Sequence, residues 1–267
     1  MQTPIVSIGC LTFNHEAYIR VALESFLAQR TTFPIEIIVH DDASTDRTAA
    51  IVDEYLVKYP NQFVWVAQNE NQYSKGVRGI TARFVFPRAR GRYIALCEGD
   101  DYWTDPLKLQ AQVDFLEAHP EFWGVFHETH QIDADGRVTR VFADTAPDVM
   151  TAEDTLAMYA PFHTSSLLFR NQLGSLPDWY YTVVSGDMAL FSIIASHGPL
   201  KKLPGVMSVY RKHAHGITSL PGTNHRFNEQ RIELIQHLDA FHGFQYSVKA
   251  RKVIAAHQKL IAKAQPL

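Results

Sequence analysis

Over about the first hundred residues, short apolar runs of strand length alternate with stretches whose apolar positions recur at helical spacing. Ile5 to Thr12 reads as a buried strand, and Ala17 to Arg30 places Ile19, Leu23, Phe26 and Leu27 on one helical face. Ile35 to His40 is a second strand. The helix from Asp46 to Tyr59 follows a Ser44/Thr45 start and stops at Pro60. Phe63 to Ala67 predicts a third strand, Gly79 to Ala89 a weaker helix broken near Pro87, and Arg92 to Cys97 a fourth strand. Strands and helices joined by short links predict right-handed crossovers and an α/β fold: a Rossmann-like, mainly parallel sheet flanked by helices.

The second half is patterned differently. Asp105 to His119 is a helix opened by Asp105-Pro106, since Pro suits a first helical turn. Trp123 to Phe142 predicts a strand pair around the turn Asp133 to Gly136. A short helix (Ala152 to Tyr159), a strand (Ser165 to Phe169), a turn and helix in VVSGDMALFSIIASHG, and a strand in GVMSVYRKHAHG follow. No repeat or low-complexity linker interrupts the chain. The expected organisation is 1–220 as one domain, with a nucleotide-type half (1–102) and an accessory half (103–220), followed by a helical extension (221–267).

In open α/β sheets ligands bind beyond the carboxyl ends of the strands. The polar clusters fall there: Thr12 to Glu16 after strand one, Asp41 to Asp46 after strand two, and Glu98 to Asp101 after strand four. Glu98 and Asp100, two apart in an extended segment, aim at one spot, which suits a hard divalent cation that also holds phosphates. The same acids also fit a solvated loop, and Asp42 or Ser44 also fits a helix cap. TFNHEAY stands after strand one in place of a glycine-rich phosphate loop, which argues against nicotinamide and P-loop chemistry.

Composition narrows the setting. A chain of 267 residues, 46% of them hydrophobic, can bury a large core, and 25 basic against 28 acidic residues give no global nucleic-acid-binding surface. There is no signal-peptide layout and no apolar run of about 18 residues, so the expected location is cytoplasmic. Cys10 and Cys97, without CxxC spacing, read as buried reduced thiols. From Ala240 onward there are five Lys or Arg and no acid, with Val253, Ile254, Leu260 and Ile261 at helical spacing. Such a helix either lies peripherally on an anionic inner membrane face or packs on its own domain.

CLTFNHEAYIRVALESFLAQ, IEIIVHDDASTDRTAAIV and GRYIALCEGDDYWTDPLKLQAQVDFLE together resemble family-two nucleotide-sugar glycosyltransferases with the A-type fold. The resemblance implies an inverting transfer of a sugar from a nucleoside-diphosphate sugar, UDP by family habit, to a hydroxyl of a glycan or lipid-linked saccharide in surface polysaccharide or glycoconjugate synthesis. It implies that Asp41 and Asp42 hold base and ribose, that Glu98 faces the ribose, and that Asp100 ligates Mn2+ or Mg2+ on the diphosphate. Thr12 would line the nucleoside pocket. Glu98 stands where the family usually has Asp, and Arg83 is about one residue out of register for a nucleotide contact. The late YRKH segment resembles a motif that brings a His to the metal, which is His213, with His215 in reserve. The HETH segment (His127, His130) lacks a third zinc ligand. The base expected in the acceptor half is Asp187 of SGDMALF, which also fits a helix cap; Asp178 and Asp154 lie in no matching motif. Trp103 and Trp179 are placed either to stack on the acceptor or to pack in the core. The rival functions are a nucleotidyltransferase, which normally has a glycine-rich loop after strand one, and a non-catalytic nucleotide-sugar-binding protein.

Overall fold

The computed structural model describes residues 3–213 and 225–264. Its N-terminal part follows the hydrophobic pattern closely. Strands β1 (Val6–Thr12), β2 (Ile35–Asp41) and β3 (Phe63–Ala67) alternate with helices α1 (Ile19–Leu27) and α2 (Thr48–Lys58), and β4 (Tyr93–Leu96) completes a parallel set in the order β3-β2-β1-β4. The weak helix is one turn of π-helix (Thr81–Val85) followed by a 3-10 turn (Phe86–Arg88) that contains Pro87.

From β4 onward the sheet also takes in antiparallel neighbours, within the α/β fold that the pattern predicts. The remaining elements are β5 (Tyr102–Trp103), α3 (Lys108–Ala118), β6 (Gly124–Ile132), β7 (Val138–Phe142), β8 (Val149–Met150), α4 (Ala152–Thr155), β9 (Leu168–Arg170), α5 (Gly186–His197) and β10 (Leu200–Arg211). β9 runs antiparallel to both β4 and β6, β10 is parallel to β6, and β5 is antiparallel to β10. Alternation along a single strand fixes which face is apolar but not which neighbour it will meet, so this order was not readable from the pattern. One continuous sheet carries both halves, and β10 delivers the chain at Arg211 to the same edge as β4.

Two helices follow, α6 (His225–Phe241) and α7 (Ser247–Ala264). Leu234, Ile235 and Leu238 of α6 and Ala250 and Val253 of α7 are buried in one core cluster with α5. That part of the apolar stripe in the basic tail is therefore committed to the fold, while Arg251, Lys252 and Lys259 stay exposed. No helix among the described residues is long and apolar enough to cross a membrane.

Candidate functional site

Two loops at the carboxyl edge are stitched together before any ligand is considered. The Asn14 amide donates to Ser44 Oγ (2.8 Å), and Asn14 Oδ1 accepts from the Thr45 amide (2.8 Å). The His15 amide donates to Thr48 Oγ1 (2.8 Å) and the Glu16 amide to Asp46 Oδ2 (2.9 Å). Asn14 and Ala43 both adopt left-handed backbone, with φ 54° and 63°. Asn tolerates this, whereas for Ala43 it costs roughly 1–2 kcal/mol. The turn that Asp41 closes onto Ser44 offsets that cost, because Asp41 accepts from both the Ser44 amide and hydroxyl.

Asp41 and Asp42 are buried at 3% and 6% exposure. Asp42 accepts from the amides of Gln72 (2.8 Å) and Tyr73 (3.0 Å), fixing the segment after β3. Each carboxylate has about four lone-pair sites, so both keep capacity for a ligand after these internal bonds. Burial raises the Asp41 carboxyl. Thr12 lies beside them with its buried Oγ1 unpartnered.

The acidic segment after β4 is pressed against β1. A Cβ at Gly99 would lie 2.9 Å from both Thr12 Oγ1 and Ile19 Cδ1, so only glycine permits this approach. Burial, then the charges of Asp100 and Asp187, push the Glu98 carboxyl upward, and Glu98 Oε2 is buried without a partner. Asp101 is buried at 1% exposure and its carboxyl is raised by burial. It accepts from the Arg211 amide at 2.9 Å, and Arg211 also donates to the Asp100 carbonyl at 2.7 Å, which ties β10 to the acidic loop.

Asp100 Oδ2 lies 3.1 Å from His213 Nε2 and 3.6 Å from His15 Nε2. One donor atom from each of His15, Asp100 and His213 lies within 4.8 Å of the others. Burial lowers the His15 imidazole, favouring the neutral form that binds metals. Two imidazole nitrogens and a carboxylate oxygen, set among further acids, fit a first-row divalent ion. His15 was missed in the sequence because a lone His in a loop carries no spacing signal toward residues so far along the chain. His163 was missed too: its Nδ1 lies 3.8 Å from Asp101 Oδ2, and burial lowers it to about 4. His215 lies outside the described residues, and His127, whose Nδ1 meets the Glu128 carbonyl, is buried in β6.

Asp187 sits in the first turn of α5, where Ser185 and not Asp187 occupies the cap position. Its carboxylate makes no hydrogen bond or ion pair with the described residues, and its charge is felt at Glu98. Of the other acids considered, Asp154 is bound in a capping box with Thr151, and Asp178 is exposed at the start of a 3-10 turn. Arg83 is exposed, with its guanidinium 4.4 Å over the Tyr181 ring.

The two tryptophans are not brought into this cluster. Trp103 is 4% exposed, packed on Phe26 with Lys108 Nζ 4.2 Å over its ring, and its Nε1 donates to the Ser165 carbonyl at 2.8 Å. The acceptor role expected for it gives way to a core role, because pairing of β5 with β10 turns the ring inward. Trp179 is half-buried, stacked on His237 of α6 at 5.4 Å.

Acids and imidazoles are thus gathered at the carboxyl edge of the sheet, with Asp187 near enough for its charge to be felt at Glu98. The chain belongs to glycosyl transferase family 2, whose family model matches residues 7–187. It is 41% identical over 246 residues to the uncharacterized protein Rv1520 of Mycobacterium tuberculosis, covering 89% of this chain and 69% of that one. It is 34% identical over 216 residues, 80% of each chain, to the Escherichia coli UDP-Glc:alpha-D-GlcNAc-diphosphoundecaprenol beta-1,3-glucosyltransferase WfaP. Among solved structures, Staphylococcus aureus TarS with UDP-GlcNAc superposes with a TM-score of 0.68 at 19% identity, over 97% of this chain and 73% of that one. The mannosyltransferase PcManGT of Pyrobaculum calidifontis, with GDP-Man and Mn2+, superposes with a TM-score of 0.59 at 18% identity, over 100% and 77%. These structures establish the glycosyltransferase A-type fold.

Proposed function

We propose that the protein is a metal-dependent, inverting hexosyltransferase. It moves a sugar from a UDP-sugar to a hydroxyl of a lipid-linked saccharide or glycan during surface polysaccharide or glycoconjugate synthesis. The observation that carries this reading is the meeting of His15, Asp100 and His213 within 4.8 Å, beside the acids after β4. A divalent ion held by these three residues would neutralise the diphosphate as it leaves. Two imidazoles favour Mn2+ over Mg2+ in that role.

The residues of the chain divide the remaining work. Thr12, Asp41 and Asp42 receive the nucleoside, Glu98 the ribose, and Arg83 the outer edge of the nucleotide. Asp187 takes the proton of the acceptor hydroxyl as that oxygen attacks the anomeric carbon from the side opposite the diphosphate. The new C–O bond forms as the bond to the diphosphate breaks, and configuration inverts. Trp179 borders the acceptor side through α6. The acceptor named for the Escherichia coli relative supports a lipid-linked saccharide. The exposed Arg251, Lys252 and Lys259 of α7 would bring a cytoplasmic enzyme to the anionic membrane face where such acceptors lie.

The test is incubation with a panel of UDP-sugars with Mn2+ or with chelator, reading UDP release and, with acceptor, the anomeric configuration of the product by NMR. Mn2+-dependent UDP release and an inverted linkage are expected. Metal-independent release or a retained configuration contradicts the reading.

A further inference from the structure

Beyond the region matched by the family model, α6 places a cation beside Asp187. Arg231 reaches α5 with its guanidinium on the Met188 thioether, the residue next to Asp187. A thioether is a weak acceptor and supplies no charge. Arg231 Nε is buried and has no hydrogen-bond partner. No carboxylate among the described residues comes within ion-pair distance of the side chain, and the ring of Phe227 lies 5.1 Å from its Cζ. Burial lowers Arg231, and the first charge it feels is that of Asp187.

A guanidinium drawn partly out of water, as Arg231 is, normally meets an anion that offsets its lost hydration. Among the described residues Arg231 has none, and it lies beside Asp187, the residue to which the acceptor presents its hydroxyl in the reading above. In that reading, the donor diphosphate is held at His15, Asp100 and His213.

We propose that Arg231 binds an anionic group carried by the acceptor, a phosphate or diphosphate on the anomeric carbon of the sugar whose hydroxyl Asp187 deprotonates. The site would then read both ends of one sugar ring: the base selects the hydroxyl and the arginine selects the phosphorylated reducing end. A guanidinium also matches phosphate geometry with two parallel hydrogen bonds, which a lysine cannot reproduce. This assignment rests on the transferase reading above and narrows its acceptor class.

The test uses sugar 1-phosphates and the matching methyl α-glycosides of glucose, galactose, mannose, N-acetylglucosamine and N-acetylgalactosamine. Affinities are measured by calorimetry with UDP and Mn2+ saturating, so that the donor half is filled. A charge-assisted contact corresponds to roughly ten- to a hundredfold in affinity. For at least one sugar the phosphate should bind wild type that much more tightly than the glycoside. The preference should vanish in Arg231→Gln and return in part in Arg231→Lys, with UDP–Mn2+ affinity and thermal midpoint near wild type in both. Failure of UDP–Mn2+ to bind wild type would instead strike the underlying transferase reading. No preference for any of the five phosphates, or a preference that survives Arg231→Gln, overturns the proposal. A shifted pH profile of donor hydrolysis in Arg231→Gln with the preference intact also overturns it, since Arg231 would then act only by positioning Asp187.

Discussion

At the scale of single residues, one oxygen carries most of the metal proposal, because Asp100 Oδ2 is the atom both imidazoles approach. Asp100→Asn removes its charge while keeping its shape, so Mn2+-dependent UDP binding should disappear in calorimetry with the thermal midpoint preserved. His15→Ala should weaken Mn2+ by tenfold or more while changing Mg2+-supported binding less, since imidazole contributes more to the softer ion. Unchanged Mn2+ affinity in both variants would remove the metal assignment. Trp103 makes a contrasting case. Its burial and its bond to the Ser165 carbonyl make it structural, so Trp103→Ala should cost about 3–5 kcal/mol in chemical denaturation. The milder Trp103→Phe should leave acceptor KM unchanged; a raised KM in that variant would return Trp103 to the acceptor site. Asp100 and His213, which the structure brings together, each sit in a motif tied to a strand end, and the proposed base Asp187 sits at a helix start. His15 and Arg231 were not legible in the sequence, since their meaning comes only from what the fold sets beside them.

At the scale of elements, strand and helix positions followed from periodicity, and β3 spans the same residues in sequence and structure. Pairing in the second half was hidden, because β9 and β5 are two or three residues long and carry too little alternation to specify a neighbour. The C-terminal helices show the same limit: an amphipathic stripe looks alike whether it meets lipid or another helix. Val253 is 7% exposed against α6, so Val253→Asp should destabilise the fold by a few kcal/mol, read as a lowered midpoint in urea. Reversing the exposed charges together (Arg251→Glu, Lys252→Glu, Lys259→Glu) should spare that midpoint and abolish binding to anionic liposomes in sedimentation. If wild type does not sediment with liposomes, α7 serves the fold alone.

At the scale of the whole molecule, one sheet joins the edge built by β1, β2 and β4, proposed to take the donor, to the side that ends in α5 and α6, proposed to take the acceptor. The interior also holds histidines in neutral form. Burial keeps His40 down at about 4, and the Gln68 amide 3.2 Å from its Nε2 suits an unprotonated nitrogen; burial lowers His127 as well. The unfolded chain therefore takes up protons that the native state refuses, so stability should fall as pH drops from about 6.5 toward 4. For His40 alone this amounts to roughly 3 kcal/mol at about 1.4 kcal/mol per pKa unit. Thermal midpoints across that window should decline in wild type and decline less in His40→Gln; parallel curves would contradict the assignment. The division of the molecule into a donor edge and an acceptor-side base is tested most directly by Asp187→Asn, assayed for both donor affinity and transfer at saturating substrates. The expected result is UDP–Mn2+ affinity near wild type with transfer reduced about 10²–10⁴-fold, the contribution of a positioned general base. Near-wild-type transfer, or loss of donor binding along with activity, would contradict it.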